Sequence, residues 1–303
     1  RSDPDYPENL SPLARAHSKI KEGDIITKIN GSPVLKAEHP SALLRSLNQK
    51  QVRLTLMDSK GKTFEEIVKP ISAREEYNLR YSEWEYTRRL AVEEKSDEQI
   101  GYLHLRAMSS SNFSEFIKGY YPVFNRAGLI IDVRNNRGGN IDAWILEKLM
   151  RRAWMYWAPR TGQTYWNMHY AFRGHMIVLV NERTSSDGEA FADGFRRLDL
   201  GKVMGTRTWG GEVWLNSSLT YLVDRGNATA CMIGVYDDKG EWLIEGHGLD
   251  PDIVIDNLPH STFKGEDAQL DAAIKYLQEL IRKDPRPVPP VPTYPDKSLD
   301  YQQ

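Results

Sequence analysis

Val178-Leu179-Val180-Asn181-Glu182-Arg183-Thr184-Ser185-Ser186-Asp187-Gly188-Glu189-Ala190-Phe191-Ala192 changes its local chemistry twice. The branched apolar residues up to Val180 read as a buried strand, the polar residues after them as a short turn, and Gly188 to Leu198 as a helix. Ser185, Ser186 and Asp187 are favoured helix N-caps, and capping alone would account for them. A serine at the mouth of a helix also sits at the positive end of its dipole, where its Oγ can attack a carbonyl. From spacing alone both readings stand.

A second junction of the same kind lies upstream in Ile130-Ile131-Asp132-Val133-Arg134-Asn135-Asn136-Arg137-Gly138-Gly139-Asn140. Its paired glycines either make a tight turn or let backbone N–H groups approach a ligand with no side chain in the way. Were the two junctions neighbours, N–H groups from both would point at an oxyanion formed beside the serine. Further strands are expected at 100–105, 128–133 and 176–180, and helices at 112–121, 142–156 and 188–198. This alternation indicates an α/β domain with its ligand site where strands end and helices begin. Residues 270–281 read as a closing amphipathic helix. The six prolines between Pro285 and Pro295 make an extended tail.

The N-terminal part differs. Lys21-Glu22-Gly23-Asp24-Ile25-Ile26-Thr27-Lys28-Ile29-Asn30-Gly31 is a turn, a short strand and an Asn-Gly turn. Helical spacing follows at 41–47, strand alternation at Val52, Leu54 and Leu56, and a hairpin across Asp58-Ser59-Lys60-Gly61 into a strand at 64–68. The expected organisation is a small β-rich domain at 1–72, a connecting helix and strand at 73–98, an α/β core at 99–283 and a proline-rich tail at 284–303.

Composition narrows the function classes. The 303 residues carry 40 Lys+Arg against 42 Asp+Glu, a net charge of −2. With no long basic or acidic block, a nucleic-acid partner is not expected. One cysteine, Cys231, excludes a disulfide framework and a cysteine-rich zinc site. No apolar run reaches the roughly 18 residues of a membrane span, and the first residues do not resemble a signal peptide. The histidines (His17, His39, His104, His169, His175, His247, His260) show no metal-ligand spacing, so neither a metal nor another cofactor is expected.

Ser11-Pro12-Leu13-Ala14 with the 21–31 stretch resembles the central part of a bacterial PDZ domain, without the strand and carboxylate-binding loop that would precede it. Four further segments resemble the C-terminal processing and tricorn-type serine peptidases in order and spacing. They are residues 132–140, 181–192, Gly205-Thr206-Arg207-Thr208-Trp209-Gly210-Gly211 and Glu245-Gly246-His247-Gly248-Leu249-Asp250-Pro251-Asp252. The implied fold is a PDZ-like domain followed by a crotonase/ClpP-like α/β peptidase core.

The resemblance implies an acyl-enzyme serine endopeptidase acting on oligopeptides. It makes Ser186, directly before Asp-Gly, the nucleophile in preference to Ser185. It implies an oxyanion hole from the N–H groups of Asp187 and Gly139, and a Glu245 that supports the general base through a second serine. Gly211 stands where processing peptidases carry their lysine base, so the tricorn-like design remains, with a histidine from a domain preceding the PDZ-like module. The chain, which starts at Arg1, is accordingly read as a portion of a longer protein, weakly active or inactive alone. His247 is the one histidine inside a shared motif. Asp250 and Asp252 read as turn and cap residues, and Trp154, Tyr156, Trp157, Tyr165, Trp166, Trp209 and Trp214 as core or interface aromatics. With no acid between Glu147 and Glu182, specificity for basic residues is not supported. By resemblance a homo-oligomer with upstream β-propeller domains is expected. A cytoplasmic location is favoured on the same ground, with periplasmic or secreted placement left open. The rival function is a non-catalytic peptide- or ligand-binding or assembly module on the same fold.

Overall fold

The computed structural model describes residues 3, 6, 9–15, 17–215 and 222–295. Most of the first eight residues, including Arg1, and residues 296–303 of the tail lie outside that set. The chain divides into two compact units, 1–88 and 89–303.

In the first unit, strands β1 (Ile25–Ile29), β2 (Ser32–Pro33), β3 (Val52–Met57) and β4 (Thr63–Val68) form an antiparallel sheet in the order β2-β1-β3-β4. The alternation read from sequence is its cause: Val52, Leu54 and Leu56 face inward and pack with Ile29. The stretch with helical spacing forms a 3-10 turn at Pro40–Leu44 instead of an α-helix. Among the described residues no strand precedes Ile25. Helix α1 (Ala73–Lys95) follows, with Glu75 and Glu76 in its first turn and Lys95 in its last, the polarity that suits a helix dipole.

In the second unit the elements after α1 are β5 (Ile100–His104), α2 (Ser110–Val123), β6 (Gly128–Asp132), α3 (Asp142–Met150), β7 (Met155–Trp157), β8 (Tyr165–Asn167), β9 (His175–Val180), α4 (Asp187–Arg197), β10 (Gly201–Gly205), β11 (Trp214–Leu215), β12 (Cys231–Ile233), β13 (Ile253–Val254), α5 (Pro259–Phe263) and α6 (Ala268–Lys283). Five of the strands make a parallel sheet in the order β13-β10-β9-β6-β5. Strands β5, β6 and β9 are buried along their whole length, so they are largely apolar runs without alternation. Leu129, Ile131, Val178 and Val180 pack with Phe116 and Tyr120 of α2, Ile145 and Leu149 of α3, and Phe191 and Phe195 of α4. The residues between them, Ile130, Ile177 and Leu179, pack with Leu270, Ile274 and Leu277 of α6. The result is a three-layer α/β/α sandwich.

Two readings from sequence change. The helix expected over 142–156 stops at Met150, where Arg151 turns extended (φ −59°, ψ 135°), and residues 155–157 pair antiparallel with β8. That pairing depends on residues about ten positions further on, which a helical count does not sense. Strands β10 and β13 gave no strand signal because β10 is bounded by glycines and β13 has two residues. No helix of the described residues is long and apolar enough to cross a membrane.

Candidate active site

Because β6 and β9 are hydrogen-bonded neighbours, the turns that follow them emerge side by side. They are stitched together at several points. Ser185 donates from its backbone N–H to the Asn136 carbonyl at 2.9 Å, and its Oγ donates to the same oxygen at 3.2 Å. Thr184 Oγ1 donates to the Val133 carbonyl at 2.8 Å, and the Asn135 N–H to Asn181 Oδ1 at 2.9 Å. These bonds occupy the Ser185 hydroxyl within the turn.

Ser186 occupies the N-cap of α4 with φ +54°, a conformation costly for a residue with a Cβ. Gly138 lies against it. A Cβ added at Gly138 would fall 2.5 Å from Ser186 Cβ, 3.0 Å from its Oγ and 3.1 Å from the Asp187 nitrogen. The Gly138 N–H is already given to Asn136 Oδ1 at 2.8 Å. At Gly139, a Cβ would lie 1.8 Å from the Met108 carbonyl oxygen. Glycine is therefore obligatory at both positions. The N–H groups of Gly139 and Asp187 have no acceptor among the described residues.

The strained turn is held by one carboxylate. Glu189, fully buried in the first turn of α4, accepts the Ser186 N–H at 3.0 Å and the Gly211 N–H at 3.0 Å on Oε2. Its Oε1 accepts the Gly210 N–H at 2.8 Å and the Thr208 hydroxyl. The loop after β10 is thus fastened to the Ser186 turn. Sequence reading passed over Glu189, although Ser186-Asp187-Gly188-Glu189 has the Ser-x-x-Glu spacing of a capping box.

Further acids crowd beneath the turn. Asp187 is 1% exposed, and its Oδ2 accepts the N–H groups of Ile141 and Asp142 at 2.7 and 3.1 Å, tying α4 to the start of α3. Burial first, then the neighbouring Asp142, pushes the Asp187 carboxyl up. Glu212 is 4% exposed and its Oε2 has no hydrogen-bond partner. Burial, with Asp193, Glu189, Asp142 and Asp187 nearby, pushes its carboxyl up to about 8. The folded chain therefore retains a proton on Glu212 that the unfolded chain releases near the ordinary value of 4.5. Stability from this group falls as pH rises between those values, with the full cost present above the higher one. Glu212→Gln is expected to leave Tm unchanged near pH 4 and to raise it by on the order of 5 °C near pH 9. Thermal melts at both pH values check this, and an equal shift at both would remove the assigned cause.

The other residues read from sequence are distributed as follows. Glu245 is exposed, and its Oε2 accepts the Glu212 N–H at 2.7 Å, one residue beyond the Glu189-bound Gly211. The backbone of His247 lies beside Gly210, but its ring Nδ1 is bonded to the adjacent Gly248 carbonyl at 2.7 Å. His104 is buried 3.9 Å from Asp132, and β-strand alternation puts it on the face of Tyr102, which packs with α6. His175 bonds the Asp284 carbonyl at 2.8 Å, and His39 bonds Ser41. Asp250 pairs with Arg207, and Asp252 accepts the Val203 N–H at 2.9 Å. Trp166 is buried, whereas Trp154 and Trp209 are each 69% exposed. Among the described residues no cluster of three or more His, Cys, Asp or Glu could hold a metal ion.

Residues 1–73 match the tricorn protease PDZ domain. The chain is 33% identical over 290 residues to tricorn protease homolog 1 of Streptomyces coelicolor, covering 95% of this chain and 27% of the relative. It is 36% identical over 204 residues to the tricorn protease of Thermoplasma acidophilum, covering 67% and 19%. The crystal structure of the tricorn protease superposes with a TM-score of 0.77 at 31% identity, covering 86% of this chain and 25% of that one. The chain thus spans about a fifth to a quarter of the length of these relatives. Residues 99–255, which hold the Gly-Gly turn, the Ser186 turn and the Glu245 loop, match peptidase family S41, and the chain belongs to that family, in its tricorn-type branch.

Proposed function

We propose that this chain is the catalytic portion of a serine peptidase that hydrolyses peptides through an acyl-enzyme, with Ser186 as nucleophile. The observation that supports it most is the strained Ser186 at the mouth of α4, packed on Gly138 and flanked by the unengaged N–H groups of Asp187 and Gly139. Ser186 Oγ attacks the scissile carbonyl as its proton passes to a general base. The two N–H groups receive the oxyanion, each worth about 3 kcal/mol of barrier by analogy with other oxyanion donors. The base then protonates the leaving amine, and water releases the acyl group by the reverse sequence.

His39, His104, His175 and His247 have partners of their own in the fold, and on family likeness the reading assigns the base to a histidine from outside these 303 residues. Glu245, through a second serine, would orient that histidine. The same reading takes peptides as substrates. It extends, on family likeness alone, to a homo-oligomer with β-propeller domains upstream. In the longer protein, Ser186→Ala is expected to lower kcat for peptide hydrolysis by at least about a thousandfold and to abolish labelling by a serine-directed fluorophosphonate. Unchanged hydrolysis by that variant would end the proposal. A wild-type protein that binds peptide and is neither labelled nor active would support the binding-module reading instead.

A further inference from the structure

At the opposite end of the parallel sheet from Ser186 lies a cavity of about 490 Å³, a size that suits a small ligand. Its walls include Arg152, Tyr156, Arg173, His175, Asp199 and Arg286. His175 opens β9 and Gly201 opens β10, whereas Ser186 follows the far end of β9. The six-residue strand separates the two regions by roughly 17 to 20 Å. The cavity is therefore no part of the nucleophile's surroundings.

Its charge is unbalanced in a specific way. Arg152 donates to the carbonyls of Leu149 and Arg151 at 3.0 and 3.4 Å. Arg173 donates to Tyr156 Oη at 3.1 Å and to the carbonyls of Arg286 and Pro287. Its guanidinium also lies over the rings of Tyr156 and Trp166, at 5.3 and 5.1 Å from their centroids. These contacts fix the direction of Arg173 without neutralising it. Neither Arg152 nor Arg173 meets a carboxylate among the described residues. Arg286 is shared with Asp284 at 2.9 Å and donates to the Gly174 carbonyl at 3.3 Å. Asp199 is the one acid in the wall, and it is exposed. Tyr156 Oη accepts from Arg173 and so retains its own proton to donate. Guanidinium groups held in fixed directions and lacking a carboxylate match the planar fork that an oxyanion accepts.

We propose that this cavity binds a small molecule through an oxyanion, either a phosphate group or the α-carboxylate of a peptide. The proposal does not depend on the role of Ser186. Its test is calorimetric titration of the 303-residue chain with inorganic phosphate and, separately, with one tetrapeptide as its free acid and as its C-terminal amide. Saturable binding of phosphate or of the free-acid peptide is expected, at a Kd of about 1 mM or tighter. Preference for the free acid over the amide identifies the α-carboxylate, and saturation by phosphate identifies the phosphoryl group. Arg152→Glu, at an exposed residue bonded only to nearby carbonyls, is expected to weaken binding at least about tenfold while leaving the thermal melt cooperative. Arg173→Gln supplies a second variant with the same expectation. Absence of saturation by phosphate and by both peptides up to about 10 mM, or binding by Arg152→Glu as tight as wild type, would overturn the proposal.

Discussion

Replacing Glu189 with alanine is expected to slow fluorophosphonate labelling of Ser186 in the longer protein by at least about a hundredfold and to destabilise the chain by about 4 kcal/mol. The carboxylate accepts four donors at once: the Ser186, Gly210 and Gly211 N–H groups and the Thr208 hydroxyl. Each buried donor left without an acceptor costs about 1 to 3 kcal/mol, and water entering the vacated space recovers part of that. The loss of reactivity has a separate origin. Ser186 is held at φ +54°, and without the bond from its N–H to Glu189 the turn can relax toward an ordinary cap. Glu189→Gln distinguishes the two effects. One amide oxygen can keep one pair of donors, but the NH2 group faces the other pair, so labelling should fall less than in the alanine variant. Labelling of Glu189→Ala at the wild-type rate would show that the turn keeps its geometry unaided.

Arg134→Met should be the most damaging change to stability alone, by about 3 to 5 kcal/mol. The guanidinium is buried and reaches Asp132 through Nε at 3.0 Å and Nη2 at 2.6 Å. It reaches Asp267, the N-cap of α6, through Nη1 at 2.8 Å. Asp132 also accepts from the Tyr102 hydroxyl at 2.9 Å. Burial alone would raise the Asp132 carboxyl, but Arg134 and His104 outweigh it and hold it well below its ordinary value. Asp267 is lowered too, with Arg134 again outweighing burial. Because both folded values are depressed, the stability they contribute is present above the ordinary carboxylate value of 3.8 and is lost as pH falls through the folded values. In Arg134→Met the two carboxylates are buried without that cation. The gap from wild type should therefore be widest near neutral pH and narrow as pH falls, first as the variant's carboxylates, raised by burial, take up protons, and then below about pH 4 as wild type loses its own contribution. Urea denaturation at the two pH values measures it. A gap independent of pH would mean that lost packing, and not charge, is the cause.

Much of the fold was readable from local pattern. Continuous apolar runs at 100–105, 128–133 and 176–180 correspond to strands of a sheet covered on both faces. The alternation at Val52, Leu54 and Leu56 corresponds to a strand with one buried face. The pattern failed where structure depends on a distant partner. Residues 155–157 form a strand because 165–167 pairs with them, and β10 is a strand because β9 lies beside it.

The same division runs through the candidate site. A strand, a polar turn and a helix in succession, with a glycine pair after a second strand, suffice to put Ser186, Asp187 and Gly139 at strand ends, because caps and left-handed turns are settled within a few residues. No local rule could show that Glu189 gathers donors from a loop about twenty residues away. Nor could it show that Glu212 is buried among other acids, or that Arg134 finds Asp267 across 133 positions. Burial and charge compensation belong to the packed chain. They depend on which segments exclude water from one another, and only the tertiary structure brings those segments together.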